Sequence, residues 1–207
     1  MTQPAAAPPP AIYIIRHGEK PADPPSASPG ESPGAPFGVD DQGVQDTHSL
    51  LPRGWQRSGA LTVLLDPATG TWPAGLQTPA ALLSPSYGGH DKTASHRTYQ
   101  TIQGLSDRLG LPIASSFTEG QEAQLAASVV SDYPGVVLIC WEHDRIPALA
   151  AALPAIPGTG IPQTWPDDRF DVIWTFTLIP GTAPAQYAFS QVPQQLLSGD
   201  TDTVIPA

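Results

Sequence analysis

The sequence predicts an α/β domain, a three-layer sandwich with a mostly parallel central sheet and helices on both faces. Three observations predict it. Short apolar runs, Ala11–Ile15, Ala80–Ser84 and Val136–Trp141, the first and last rich in β-branched residues, read as buried strands. Segments of helical spacing fall between them, which is the pattern of strand–helix–strand units on a parallel sheet. The chain has 207 residues, enough for one domain with a sizeable core.

Each element has a local cause. Residues 1–10, rich in Ala and Pro, read as a flexible tail, and residues 11–207 as the single domain. Residues 11–15 form the first strand. Residues 20–47 are crowded with Pro, Gly, Ser and Asp and lack apolar periodicity, so they predict a long loop. A helix starts near Pro52 and runs to about Leu65, where Asp66-Pro67 ends it. Ala80–Ser84 is the second strand and residues 85–95 another polar loop. Ile102, Leu105 and Leu109 share one face of a helix over 96–109, stopped by Gly110. Residues 111–114 form a short strand, 119–131 a helix, and 136–141 a buried strand. Ile146 to Leu153 is a short helix with Pro147 in its first turn, where proline is tolerated. Phe170–Leu178 is a late strand, and Ala185–Val192 a last one, antiparallel at an edge.

Composition narrows the function. A net charge of −10 argues against nucleic acid or an anionic membrane surface as partner. No apolar run approaches the ~20 residues that span a bilayer. The N-terminus has neither a basic start nor a long apolar stretch, so no signal peptide is expected. The single cysteine, Cys140, allows no internal disulfide, and a reducing cytoplasm is the expected setting.

Arg16-His17-Gly18-Glu19 follows the first strand directly. Ligands of open α/β sheets bind at the C-terminal ends of strands. Arginine fits a phosphoryl dianion as a planar fork, and a neutral imidazole beside it can attack phosphorus. Gly18 lets the backbone turn and approach a ligand. Two further segments reach the same rim in a parallel sheet: His96-Arg97-Thr98 at a helix start, and Glu142-His143-Asp144-Arg145 between a strand and a helix. Helix N-termini face that rim and add positive potential. Together they predict a phosphate pocket.

These residues carry a resemblance. Arg16-His17-Gly18-Glu19 after a strand, Arg97 in Arg97-Thr98-Tyr99-Gln100-Thr101, and His143 ahead of Ile146-Pro147-Ala148-Leu149 resemble the histidine phosphatase superfamily. That group contains the cofactor-dependent phosphoglycerate mutases, many small phosphatases and the acid phosphatase/phytase branch. Leu51–Arg57 and Phe170–Trp174 are similar to stretches of small bacterial members, and the resemblance spans roughly residues 11–179.

The resemblance implies that His17 is the nucleophile, forming a phosphohistidine, and that Arg16, Arg97 and His143 hold the phosphoryl oxygens. It implies no metal and no cofactor. Two guanidinium groups should disfavour the imidazolium form of His17, and the backbone near Gly18 is a plausible acceptor for its other nitrogen. The proton donor stays open. Asp144, directly after the second histidine, matches the phytase-like branch. Glu119 or Glu122 lies where the mutase-like branch carries a glutamate. Arg16-His17-Gly18-Glu19-Lys20-Pro21 echoes the phytase branch, with Lys20 where that branch has an arginine.

The expected function is therefore hydrolysis of a phosphomonoester, on a small molecule or a phosphorylated protein residue, with inorganic phosphate as product. The alternatives are a phosphoglycerate-type mutase and a non-catalytic phospholigand-binding module. Cys140 and Arg145 are separated by four residues, whereas a cysteine-phosphatase loop needs five, so Cys140 reads as a core thiol. His48, His90 and His96 fit no metal-ligand spacing. Trp55, Trp141 and Trp174 read as core, and Lys20 and Arg145 as pocket neighbours or solvated charge.

Overall fold

The computed structural model describes residues 7–21, 36–73, 75–87 and 96–207. In chain order it contains β1 (Ala11–Arg16), α1 (Pro52–Leu65), β2 (Ala81–Leu83), α2 (Arg97–Leu109), β3 (Ile113–Ala114), α3 (Glu122–Asp132) and β4 (Val137–Trp141). A 3₁₀ turn (His143–Arg145) leads into α4 (Ile146–Ala152), followed by β5 (Val172–Leu178) and β6 (Tyr187–Pro193). The strands form one sheet in the order β3-β2-β4-β1-β5-β6. β1 to β4 are parallel, β5 runs antiparallel to β1, and β6 antiparallel to β5 at the edge.

Strand alternation divides the core in two. Ile12 and Ile14 of β1 and Val137, Ile139 and Trp141 of β4 join Leu125, Val129, Ile146 and Leu149 of α3 and α4. Tyr13, Ile15, Leu138 and Cys140 point the other way, into Leu61, Leu65, Ile102 and Leu105 of α1 and α2. The central strands are thus covered on both sides, which is why they read as unbroken apolar runs. Every residue of β1 and β4 is buried. Cys140 is a fully buried core thiol whose pKa burial raises.

The helices end where local chemistry ends them. Pro52 opens α1 and Asp66 closes it. Gly110 caps α2 in the left-handed conformation, φ 64°, returning its N–H to the last turn. α3 begins at Glu122, three residues later than the spacing predicts, because Gly120 stands at φ 87° and no right-handed helix passes through it. Glu119 is therefore a loop residue. α2 and the strands start or stop within a few residues of their expected ends. The end of the predicted tail is tied down: Pro9 accepts a hydrogen bond from the Tyr187 hydroxyl and Pro10 one from Leu178 N.

Part of the predicted 20–47 loop lies outside the described residues, as do His90 and most of 85–95. The described stretch from Gly38 is anchored by Val39 N to Leu50 O, Asp46 N to Gly38 O, and Trp55 Nε1 to Val39 O. Trp55 is thus half-buried as the loop's anchor, a correction to its reading as a core residue. No helix among the described residues is long and apolar enough to cross a membrane.

Candidate active site

Strand register builds the site. Arg16 lies abreast of Trp141 in the parallel β1–β4 pair, so His17 and Glu142 leave the sheet side by side. The exit of β1 is held from both helices of one face. Gly18 N donates to Thr101 Oγ1 at 2.8 Å on α2. Against α1, a Cβ on Gly18 would stand 3.1 Å from the Cα of Gly54.

His17 is 1% exposed. Its Nδ1 lies 2.7 Å from Gly18 O. A carbonyl only accepts, so Nδ1 carries the proton and Nε2 keeps its lone pair. Nε2 is buried with no hydrogen-bond partner among the described residues, 3.6 Å from Glu142 Oε2. Burial, then the Arg16 charge, with smaller contributions from Arg97 and His143, holds the imidazole pKa well below its ordinary 6.5.

Arg16 supplies the cationic wall. Its Nη1 donates to Pro166 O, Asp167 O and Arg169 O at 3.0, 2.8 and 3.2 Å. Its guanidinium lies 3.9 Å from the Phe170 ring centroid. Nε and Nη2 are buried and have no partner among the described residues. Desolvation lowers its pKa to about 10, and it remains a cation at neutral pH. Unsatisfied donors on a buried cation cost free energy until an anion accepts them.

His143 completes the cluster. Its ring meets that of His17 edge-on at 5.8 Å. Nε2 lies 2.8 Å from Asp167 Oδ1, and Nδ1 is buried with no partner among the described residues. Burial and Arg16 lower its pKa, while Asp167 and Asp144 oppose them. Thr98 Oγ1, in the first turn of α2, is another buried polar atom without a described partner. Arg97 opens α2, donates from Nη2 to Thr47 O at 2.7 Å, and acts electrostatically on both His17 and Glu142.

The expected carboxyls are placed differently from one another, and Glu119 acts electrostatically on Glu142. Asp144 turns to solvent, its side chain 80% exposed, 3.4 Å from His143 Nε2. Glu119 is exposed in the loop before α3. Glu122 is buried, but its Oε1 accepts from Trp141 Nε1 at 3.2 Å and Gly120 N at 3.0 Å. The carboxyl beside His17 is Glu142, which the sequence reading passed over. Its position was legible all the same, as the first polar residue after a buried apolar run that pairs in parallel with β1.

Glu19 faces away, accepting from Arg53 and Arg57, while Arg57 also pairs with Asp200 at 2.7 Å. The residues of Leu51–Arg57 therefore brace the rim rather than line it. Lys20 is half-buried and acts electrostatically on Glu142, whereas Arg145 is exposed. His96 is exposed and packs on Tyr87 with ring centroids 4.4 Å apart.

His17, Glu142 and His143 also stand close enough together to share a metal ion. Arg16, which acts electrostatically on all three, opposes a dication there and favours an anion. The arrangement is a buried imidazole lone pair beside a buried guanidinium whose Nε and Nη2 lack described partners, which suits attack on a tetrahedral anion. The sequence matches no protein-family model, and a search of curated proteins finds no significant match.

Proposed function

We propose that this chain is a metal-independent phosphatase that hydrolyses a phosphomonoester, or a phosphorylated protein residue, through a phosphohistidine at His17. The observation that carries the reading is Nε2 of His17. It is buried, held unprotonated by the Nδ1 contact with Gly18 O, and free of a described hydrogen-bond partner. The neighbouring Arg16 charge acts on this imidazole, and Nε and Nη2 of Arg16 also lack described partners. A buried unsatisfied polar group costs ~1–3 kcal/mol, and a phosphoryl group would satisfy several at once.

In the first step Nε2 donates its lone pair to phosphorus and the bond to the leaving oxygen breaks. Nε and Nη2 of Arg16 bind non-bridging oxygens, and Arg97 at the α2 N-terminus adds positive potential. Beside the bound dianion His143 takes up a proton from solvent and donates from Nδ1 to the same oxygens, with Asp167 accepting from Nε2. In the second step water attacks phosphorus, the P–N bond breaks, and inorganic phosphate leaves. Aryl phosphates and phosphohistidine-bearing protein serve as probes, because substrate choice lies in variable loops.

The test is phosphoenzyme trapping. Incubation with an aryl phosphate and an alkaline quench should leave one acid-labile phosphoryl group, located at His17 by peptide mass. His17→Asn should carry none and should not turn over. Phosphate binding by the unmodified protein without any phosphoenzyme or turnover would overturn the reading in favour of a binding module.

A further inference from the structure

We infer that Glu142 carries the catalytic proton, giving it to the departing oxygen and taking it back from the attacking water. The inference rests on the phosphatase reading and names a residue that reading leaves unused.

Geometry selects Glu142 over Glu122 and Asp144. Its Oε2 is 3.6 Å from the nitrogen that attacks phosphorus, so oxygens of a phosphoryl group held against Nε2 fall within its reach. Its Oε1 is buried with no hydrogen-bond partner among the described residues. Glu122 is engaged by Trp141 and Gly120, and Asp144 lies in solvent on the outer side of His143. Register makes the placement firm, since Glu142 follows Trp141 as His17 follows Arg16.

Electrostatics lets Glu142 be an acid near neutral pH. Burial first, then the charge of Glu119, raises its pKa to about 7 against the opposing pull of Arg97, Lys20 and Arg16. His17 and His143 complete the ionisable surroundings. A phosphoryl dianion arriving beside an ionised carboxylate would be repelled, so substrate binding favours the protonated form further.

The proton balance closes. In phosphorylation the Glu142 O–H bond breaks and its proton goes to the leaving oxygen as the P–O electron pair departs. In dephosphorylation water attacks phosphorus, its proton passes to the Glu142 carboxylate, and the P–N pair returns to His17 Nε2. Both partners end as they began.

A leaving-group comparison tests this. Phosphorylation by 2,4-dinitrophenyl phosphate needs no proton donor, whereas phosphorylation by an alkyl phosphate does. In rapid-quench experiments Glu142→Gln should form phosphohistidine from the dinitrophenyl ester within a few-fold of the unmodified protein. Its alkyl phosphate rate should fall by ~10²-fold or more. Phosphohistidine should then accumulate in the variant, because the water step lacks its base. Equal losses for both esters, or no loss for the alkyl ester, would overturn the inference while phosphohistidine at His17 still stood. Absence of phosphohistidine in the unmodified protein would remove the phosphatase reading, and this inference with it.

Discussion

Gly18 and Gly54 meet backbone to backbone, with 3.1 Å between the position of a Gly18 Cβ and the Gly54 Cα. A Cβ on Gly54 would stand 2.7 Å from the carbonyl oxygen of Glu19. The exit of β1 and the first turn of α1 are therefore close enough that Gly54 has no room for a side chain and Gly18 has little. Gly54→Ala must push the Glu19 backbone away and move His17 with it. The expected cost is ~1–3 kcal/mol of stability by denaturant unfolding, together with a disproportionate loss of turnover. Unchanged turnover with reduced stability would show that the contact braces the fold alone.

His17 is expected to hold one tautomer across the neutral range. Nitrogen-15 NMR of the ring should show a protonated Nδ1 and an unprotonated Nε2 from about pH 6 to pH 8. The Nδ1 contact with Gly18 O fixes the tautomer, and burial beside Arg16 keeps the imidazolium from forming. Inorganic phosphate should shift the Nε2 resonance, and His143 should take up a proton as the anion binds.

Arg16 and Lys would not be equivalent at this position. The guanidinium spends Nη1 on three carbonyls of the 166–169 loop and keeps Nε and Nη2 for the anion. An ammonium on a flexible stem cannot do both. Arg16→Lys should lower kcat/KM by ~10²–10³-fold, of order the loss of one preorganised oxyanion contact. Loss of the loop latch should also raise proteolytic sensitivity between residues 154 and 169. A conservative effect under ten-fold would mean that Arg16 serves the loop and not the phosphoryl group.

Most of the fold was readable because burial left simple marks. The apolar runs of β1 and β4, Pro52 at a helix start and Gly110 at a helix end each name their element without tertiary context. Arg16, His17 and His143 were readable for the same reason, as polar residues at the ends of such runs. Glu142 was missed because a carboxyl's role depends on which neighbour desolvates it, and Asp144 beside it looks equivalent in one dimension. The turn of the 3₁₀ segment decides between them, leaving Glu142 half-buried and Asp144 exposed. The sequence supplies no such rule for Trp55 or for Gly120, whose φ of 87° shortens α3.

Arg57 should prove structural. Its guanidinium is 2% exposed and donates to Glu19, Asp200 and the side-chain Oε1 of Gln194. Arg57→Ala would leave the Glu19 and Asp200 carboxylates with only the half-exposed Arg53 as cation, at a cost of up to ~3–5 kcal/mol. Arg57 contacts and backbone N–H groups of Leu196 and Leu197 also hold the Asp200 pKa down at about 2, although burial alone would raise it. A depressed carboxyl stabilises the fold above its ordinary pKa and loses that contribution as pH falls toward the folded value. Asp200→Asn should therefore weaken the protein at pH 7 and flatten its loss of stability between about pH 4 and pH 2. An unchanged acid limb would show that other groups dominate acid unfolding.

Glu142 has the opposite linkage, and this separates its catalytic from its structural contribution. Its folded pKa lies near 7, above the ordinary 4.5, because burial and Glu119 disfavour the charge. Between those values the folded state binds more protons than the unfolded one, so stability falls as pH rises through that window. Glu142→Gln, which never ionises, should match the unmodified protein in melting temperature near pH 4 and exceed it at pH 8. Catalysis that needs its proton should fall in the same direction. Only the protonated carboxyl can donate, so kcat/KM for an alkyl phosphate should fall as pH rises through about 7, while phosphorylation by a dinitrophenyl ester should not. A gain in stability at pH 8 without the leaving-group-dependent alkaline limb would mean that Glu142 is strained by its burial but carries no proton in the reaction.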